Sequence, residues 1–141
     1  MPAAYDPNNI FAKILRGELP CHKVYEDERV LAFLDIMPRS PGHTLVIPKA
    51  PVRNIFDISP DDYAHVARVA QKIATAAMKA FQTDGITVGQ FNERAGGQVV
   101  FHLHMHVMPR LDGIALLPPG SRHEDVKVLE DNATKLIAAL G

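Results

Sequence analysis

The chain has 141 residues, 47% of them apolar and 22% charged, which is ordinary for a globular protein and enough to build one domain around its own core. A formal net charge of -1 excludes a basic nucleic-acid footprint and a cationic membrane-surface patch, and no apolar run reaches the length of a transmembrane helix. Cys21 is the single cysteine, so no intrachain disulfide can form, and a reducing, cytoplasmic setting is expected. The opening Met1–Asp6 lacks a basic segment followed by an apolar one, so no signal peptide is expected. No repeat, low-complexity tract or linker divides the chain, and 1–141 reads as a single domain.

Residues 1–8, with Pro2, Pro7 and Asn8, read as a loose segment. Asn8 or Asn9 caps a short helix from Ile10 to Arg16, closed by Gly17. Val24–Glu26 and Arg29–Ile36 read as two strands of a hairpin turning at Asp27-Glu28. Asp35 closes the second apolar run; a carboxylate there serves a turn, and also suits the paired hydroxyls of a ribose. After the loop Pro38–Gly42, His43–Ile47 is a strand apolar on both faces and so central. His43 stands where the loop enters the sheet. Cys21 beside His22 does not make a metal pair, because adjacent strand residues point opposite ways.

Ser59-Pro60-Asp61-Asp62 opens a long helix whose apolar positions, from Val66 through Ala80, keep helical spacing to Phe81. Asp84-Gly85 ends it, and Ile86–Phe91 is the next strand. Asn92–Gln98 is a polar loop in which Gly96 and Gly97 permit close backbone approach and offer N–H donors to an anion, with Asn92 and Gln98 adding amides. Beyond Arg110, residues 111–141 read as turns followed by a helix. Ser121 and Glu124 have the spacing of a capping box, ahead of the amphipathic pattern Val126, Leu129, Ala133, Leu136, Ile137, Leu140.

Between loop and C-terminal segment stands Phe101-His102-Leu103-His104-Met105-His106-Val107-Met108, which holds three of the seven histidines. On a strand, His102, His104 and His106 line one face, and Phe101, Leu103, Met105 and Val107 the other. Such a wall is either a metal site or a catalytic surface. A metal hydrolase usually recruits carboxylate or thiolate ligands too, and Glu93 is nearly all the neighbourhood offers. A glycine loop beside neutral imidazoles favours metal-free chemistry at a phosphate, with imidazole as nucleophile and N–H groups on the phosphate oxygens. No cofactor is expected.

The run His102-Leu103-His104-Met105-His106-Val107-Met108 resembles the signature of the histidine triad family. The likeness extends through Ile10–Ile14, Leu31–Ile36, Pro41–Lys49 and Asn92–Gln98, in family order, and covers about residues 9 to 110. The resemblance implies an α+β fold, an antiparallel sheet with flanking helices, and a homodimer whose sheet runs on between subunits. It implies a nucleotide-binding hydrolase or transferase acting on purine nucleotide conjugates. His104 would attack the α-phosphorus to give a nucleotidyl-histidine, with His106 near the leaving group and His102 and His43 in support. Asn92, Gly97 and Gln98 would hold phosphate oxygens, Asp35 the ribose, and Ile10, Phe11, Ile14, Phe33 and Ile36 the base. A phosphoramidase-like activity leads. A dinucleoside polyphosphate hydrolase, a nucleotide-binding regulator with vestigial catalysis and a metal-binding module stand as alternatives.

Three features depart from family patterns. Asn9 and Ala12 stand where many bacterial relatives carry the zinc-binding Cys-x-x-Cys, and Pro51 is near the place of a further histidine, so no structural zinc is expected. Val99 replaces a hydroxyl residue after the glutamine. No tryptophan is present, and the segment after Arg110 departs from the phosphoramidase branch.

Overall fold

The computed structural model describes residues 3–141; of the loose segment read at 1–8, Met1 and Pro2 lie outside the described residues. Helix α1 (Ile10–Leu15) begins at Asn9, whose side-chain oxygen accepts the Ala12 N–H. Strands β1 (Lys23–Glu26) and β2 (Val30–Leu34) pair antiparallel. The turn between them is longer than the two residues expected, because Asp27 Oδ1 accepts the N–H groups of both Arg29 and Val30. Strand β3 (Thr44–Pro48) is buried throughout, as its apolar run predicts.

Helix α2 (Pro60–Phe81) is capped by the Ser59 hydroxyl on the Asp62 N–H. It ends at Gln82 in the left-handed region, not at Asp84-Gly85; Gly85 instead opens β4 (Gly85–Gln90). Strand β5 (Met105–Arg110) starts later than the histidine alternation suggests. Helix α3 (Val126–Leu140) is capped by Asp125, which accepts the Lys127 N–H, so the Ser121–Glu124 capping box is not used.

The five strands form one antiparallel sheet in the order β1-β2-β3-β5-β4. Alternation along each strand divides the core in two. Val30, Ala32, Leu34, Val46, Met105 and Val107 join Val66, Val69, Ile73 and Leu136 of α2 and α3 in the main core. Leu31, Phe33, Leu45 and Ile47 face the other way and pack with Phe11 of α1. Register then places His106 on that second face, because it pairs with Leu45, which pairs with Phe33. One face of the sheet is thus given to helices, and the other, thinly covered, to the histidines.

Candidate active site

His106 alone of the three triad histidines lies on a strand. Residues 101–104 approach β5 without pairing into the sheet, and the Leu103 N–H donates to the Val52 carbonyl instead. The expected wall on one strand is therefore corrected to a cluster from three places. The ring centroids of His104 and His106 lie 4.8 Å apart, and those of His43 and His106 5.1 Å apart. His43 enters from the end of the 35–43 loop, next to β3. The His102 ring, fully buried, is set into the scaffold, between the Tyr5 hydroxyl at 2.7 Å from Nδ1 and the Pro48 carbonyl at 2.8 Å from Nε2.

Hydrogen-bond polarity fixes where each neutral ring carries its proton, since a carbonyl only accepts and a peptide N–H only donates. His102 donates from Nε2 to Pro48 and accepts the Tyr5 hydroxyl at Nδ1. His104 donates from Nδ1 to the His102 carbonyl at 2.7 Å, which leaves a lone pair on its Nε2. His43 Nδ1 accepts the Arg39 N–H at 3.0 Å, so its proton is on Nε2 and is donated to His106 Nδ1 at 2.9 Å. His106 must then carry its proton on Nε2. The cluster holds a nucleophilic nitrogen and, one ring away, an N–H donor.

All four rings are neutral at pH 7. Burial, then the nearby Arg39 and His104, lowers His43 to about 4. Burial lowers His102 to about 4 against the opposing pull of the Pro48 carbonyl, and lowers His104 against that of the His102 carbonyl. Burial, followed by His104, His43 and Arg39, takes His106 to about 3. Unfolded histidines titrate near 6.5, so between that value and these the unfolded chain binds more protons and stability rises with pH. A histidine kept neutral to about pH 4 contributes roughly 3 kcal/mol that is complete above pH 6.5 and is lost as pH falls through the folded value. Urea midpoints should therefore be flat from pH 8 to 7 and fall steeply toward pH 4. In a His102→Gln variant the fall should be shallower.

Asp35 lies beyond the end of β2, not within a strand to Ile36. Its Oδ1 accepts the Met37 N–H, and its Oδ2 is 3.8 Å from His43 Nδ1. Burial raises its pKa, with the Met37 N–H opposing. Phe11 stands edge-on to both Phe33 and His104, with centroids 5.4 and 5.0 Å away, and Ile14 is half-buried beside this cluster. Ile10 and Ile36 are exposed, at 49% and 46%, and so are free to cover an apolar ligand.

The 92–98 loop is built differently from expectation. The N–H groups of Gly96 and Gln98 donate to the Glu93 carbonyl, and that of Gly97 to the Arg94 carbonyl, so these amides serve the loop. The buried Gln98 amide accepts from Asn54 Nδ2 and the Glu93 N–H and donates to the Arg53 and Val100 carbonyls. Its hydrogen-bonding capacity is saturated, which makes it a brace rather than a ready phosphate ligand. Asn92 Oδ1 likewise accepts the Ile55 N–H and Gln90 Nε2. Gly97 is required for its backbone, with φ +96°.

Several contributors had no signal in the sequence. Arg53 grips Glu93 through both carboxylate oxygens while its guanidinium lies 4.1 Å over the Phe101 ring, and Asn54 adds a third bond to Glu93. This pairing, led by Arg53 and opposed by desolvation, holds Glu93 down at about 2. Glu93 itself has φ +65°, a strained conformation for a side-chain-bearing residue. Tyr5 lies in the segment read as loose, and Phe91 packs on His106 at 5.3 Å.

Ala12 offers no metal-binding atom and Asn9 is engaged as a helix cap, so the zinc-binding pair of bacterial relatives has no counterpart here. Among the described residues, Asp35, His43 and His106 are the three metal-ligating side chains that converge. Arg39 N–H already occupies the outer nitrogen of His43. No helix among the described residues is long and apolar enough to cross a membrane.

The geometry defines an α+β protein with a largely buried histidine cluster on one face of an antiparallel sheet. The chain belongs to the HIT family: the HIT domain model matches residues 16–113. It is similar to a Hit-like protein involved in cell-cycle regulation from Bartonella henselae, crystallised with an unknown ligand. That likeness has 52% identity and TM-score 0.91, covering 97% of this chain and 99% of that one. A hypothetical histidine triad nucleotide-binding protein from Sulfolobus tokodaii is 31% identical with TM-score 0.84, over 93% and 91% of the two chains. Adenylylsulfatase HINT3 of Arabidopsis thaliana is 35% identical over 131 residues, 93% of this chain and 66% of that protein.

Proposed function

We propose that this protein binds purine nucleotide conjugates and cleaves them at the α-phosphorus through a nucleotidyl-histidine, in the manner of a phosphoramidase. The observation that carries the reading is the His104 ring. Its Nδ1–H is tied to the His102 carbonyl, its Nε2 lone pair is left over, and it is neutral at working pH. In the first step Nε2 forms a bond to phosphorus as the bond to the leaving atom breaks. The His102 carbonyl then faces the N–H of a cationic imidazole and stabilises it. The His106 Nε2–H donates a hydrogen bond toward the reacting group, and the departing atom takes one proton from water. In the second step water attacks phosphorus, His104 leaves with its lone pair restored, and the proton is returned. Asp35 takes the ribose hydroxyls, and Phe11, Phe33 and Ile14, with exposed Ile10 and Ile36, form the base slot. Asn92, Gly97 and Gln98 shape the phosphate loop. The names of the Arabidopsis and Sulfolobus relatives agree with a nucleotidyl substrate. Adenosine 5′-phosphoramidate should be converted to the monophosphate by metal-free protein in the presence of a chelator. Tight monophosphate binding without turnover would instead make the protein a nucleotide-binding regulator.

The protein is further proposed to work as a homodimer whose sheet continues through β4. The sheet edges differ: β1 carries Lys23, Glu26 and a register shift, features that discourage edge pairing, whereas Gly85–Gln90 has no charge, no proline and a Val88 51% exposed. Light scattering at micromolar concentration should give twice the monomer mass, and Val88→Lys should halve it.

A further inference from the structure

The loop that delivers His43 is held from outside the histidine cluster. Arg39 and Leu117, 78 positions apart, exchange two hydrogen bonds: Leu117 N–H donates to the Arg39 carbonyl at 2.9 Å, and Arg39 Nε donates to the Leu117 carbonyl at 2.8 Å. Three residues earlier in the same loop, the Ile36 carbonyl accepts the Glu124 N–H at 2.9 Å. The segment between β5 and α3 therefore straps the 36–39 backbone. Of the donors in this backbone, the Met37 N–H serves Asp35 Oδ1 and the Arg39 N–H serves His43 Nδ1.

That donor has a competitor. Asp35 Oδ2 lies 3.8 Å from the same nitrogen, and a carboxylate favours a proton on the ring nitrogen that faces it. With a proton on Nδ1, neutral His43 would have a bare Nε2, His106 would have to donate from Nδ1 to it, and His106 Nε2 would lose its proton. The two arrangements have the same composition and charge but opposite polarity at the reacting edge. The Asp35 carboxylate is weakened as a competitor, because Met37 N–H occupies its other oxygen. The remaining ionisable groups facing the pair are the Arg39 guanidinium and His104.

We propose that Arg39 is a positioning residue. Its peptide N–H, held by the clasp to Leu117, selects the Nε2–H tautomer of His43 and thereby keeps the His106 proton on Nε2, the edge turned away from His43. The strap from the C-terminal segment thus sets the polarity of the histidine relay without touching the reacting atoms. This inference rests on the proposed function only for its kinetic consequence; the tautomers are a property of the free protein.

The test is nitrogen-15 NMR of the histidine side chains in free wild type, Arg39→Ala and Arg39→Pro, beside steady-state kinetics with adenosine 5′-phosphoramidate. Wild type should show His43 and His106 both protonated at Nε2. Arg39→Pro, which lacks the donor itself, should move both to Nδ1–H. Arg39→Ala, which keeps the N–H but loses half the clasp, should give a mixture of the two forms. In both variants kcat should fall, by roughly tenfold or more for Arg39→Pro, with KM within about threefold, as for loss of one oriented donor. Should the proline variant not fold by thermal melting, the alanine spectra decide. A wild-type His106 protonated at Nδ1, or variants whose tautomers match wild type, would overturn the proposal. Wild-type protein with the expected tautomers but no turnover would refute the proposed function and leave the tautomer selection standing.

Discussion

His104→Ala should lower kcat for adenosine 5′-phosphoramidate by at least about a thousandfold while leaving the affinity for the monophosphate within about threefold. The split between the two numbers follows from the position of the ring. Its Nε2 lone pair is the one bare imidazole nitrogen left over by the hydrogen-bond chain: Nδ1 of His102, His43 and His106 each already accepts a bond. No neighbouring histidine can take over as nucleophile without reversing its tautomer. Phe11, which stands edge-on to His104, keeps its other partner, Phe33, so the base slot should survive. Stopped assays of turnover beside calorimetric titration with the monophosphate read both quantities. A loss confined to KM would assign His104 to binding and remove the chemistry from it.

The largest effect on stability should come from Gly42→Ala. Gly42 has φ +85°, and a Cβ built on it would lie 2.4 Å from Cε2 of the Phe81 ring. The left-handed conformation costs an L-residue about 1–2 kcal/mol, and forcing a methyl into occupied space costs about 1–3 more. A loss of about 3 kcal/mol, or roughly 10 °C in Tm, is expected from thermal and urea unfolding. Adding Phe81→Leu should recover part of the overlap but none of the backbone strain. The position also matters for chemistry, because Gly42 leads directly into His43. A loss of only about 1–2 kcal/mol would mean that the Phe81 ring moves aside freely, and wild-type stability would contradict the backbone strain as well.

What could be read in the sequence were features with short-range causes. Ser59-Pro60 and the spacing of Val66, Val69 and Ile73 make α2 predictable, because cap, proline and periodicity act within a few residues. The family resemblance rests on equally local strings. What escaped was set by distant partners. The histidine alternation continues four residues beyond the strand that carries its end, because Leu103 finds its hydrogen bond at Val52 rather than in a neighbouring strand. The Gln98 amide, free by its sequence context, is taken up by Arg53 and Asn54, more than 40 positions away. Ser121 has the spacing of a capping box with Glu124, yet Asp125 starts the helix later, and the Glu124 N–H is used on Ile36. Tyr5 and Arg39 have no motif at all: Tyr5 matters through one nitrogen of His102, 97 positions on, and Arg39 bonds His43 only four positions on but is held by Leu117, 78 positions away.

The central claim is that His104 carries the nucleotidyl group, and intact-protein mass spectrometry after rapid quench tests it most directly. Wild type and His104→Ala are mixed with excess adenosine 5′-phosphoramidate and stopped within a single turnover in alkali, where a phosphorus–imidazole bond survives. One adenylyl group on wild type, mapped to His104 and absent from the variant, is the predicted result. Monophosphate formed at the full rate with no adenylyl group on the protein at any quench time would contradict the account and point to direct attack by water.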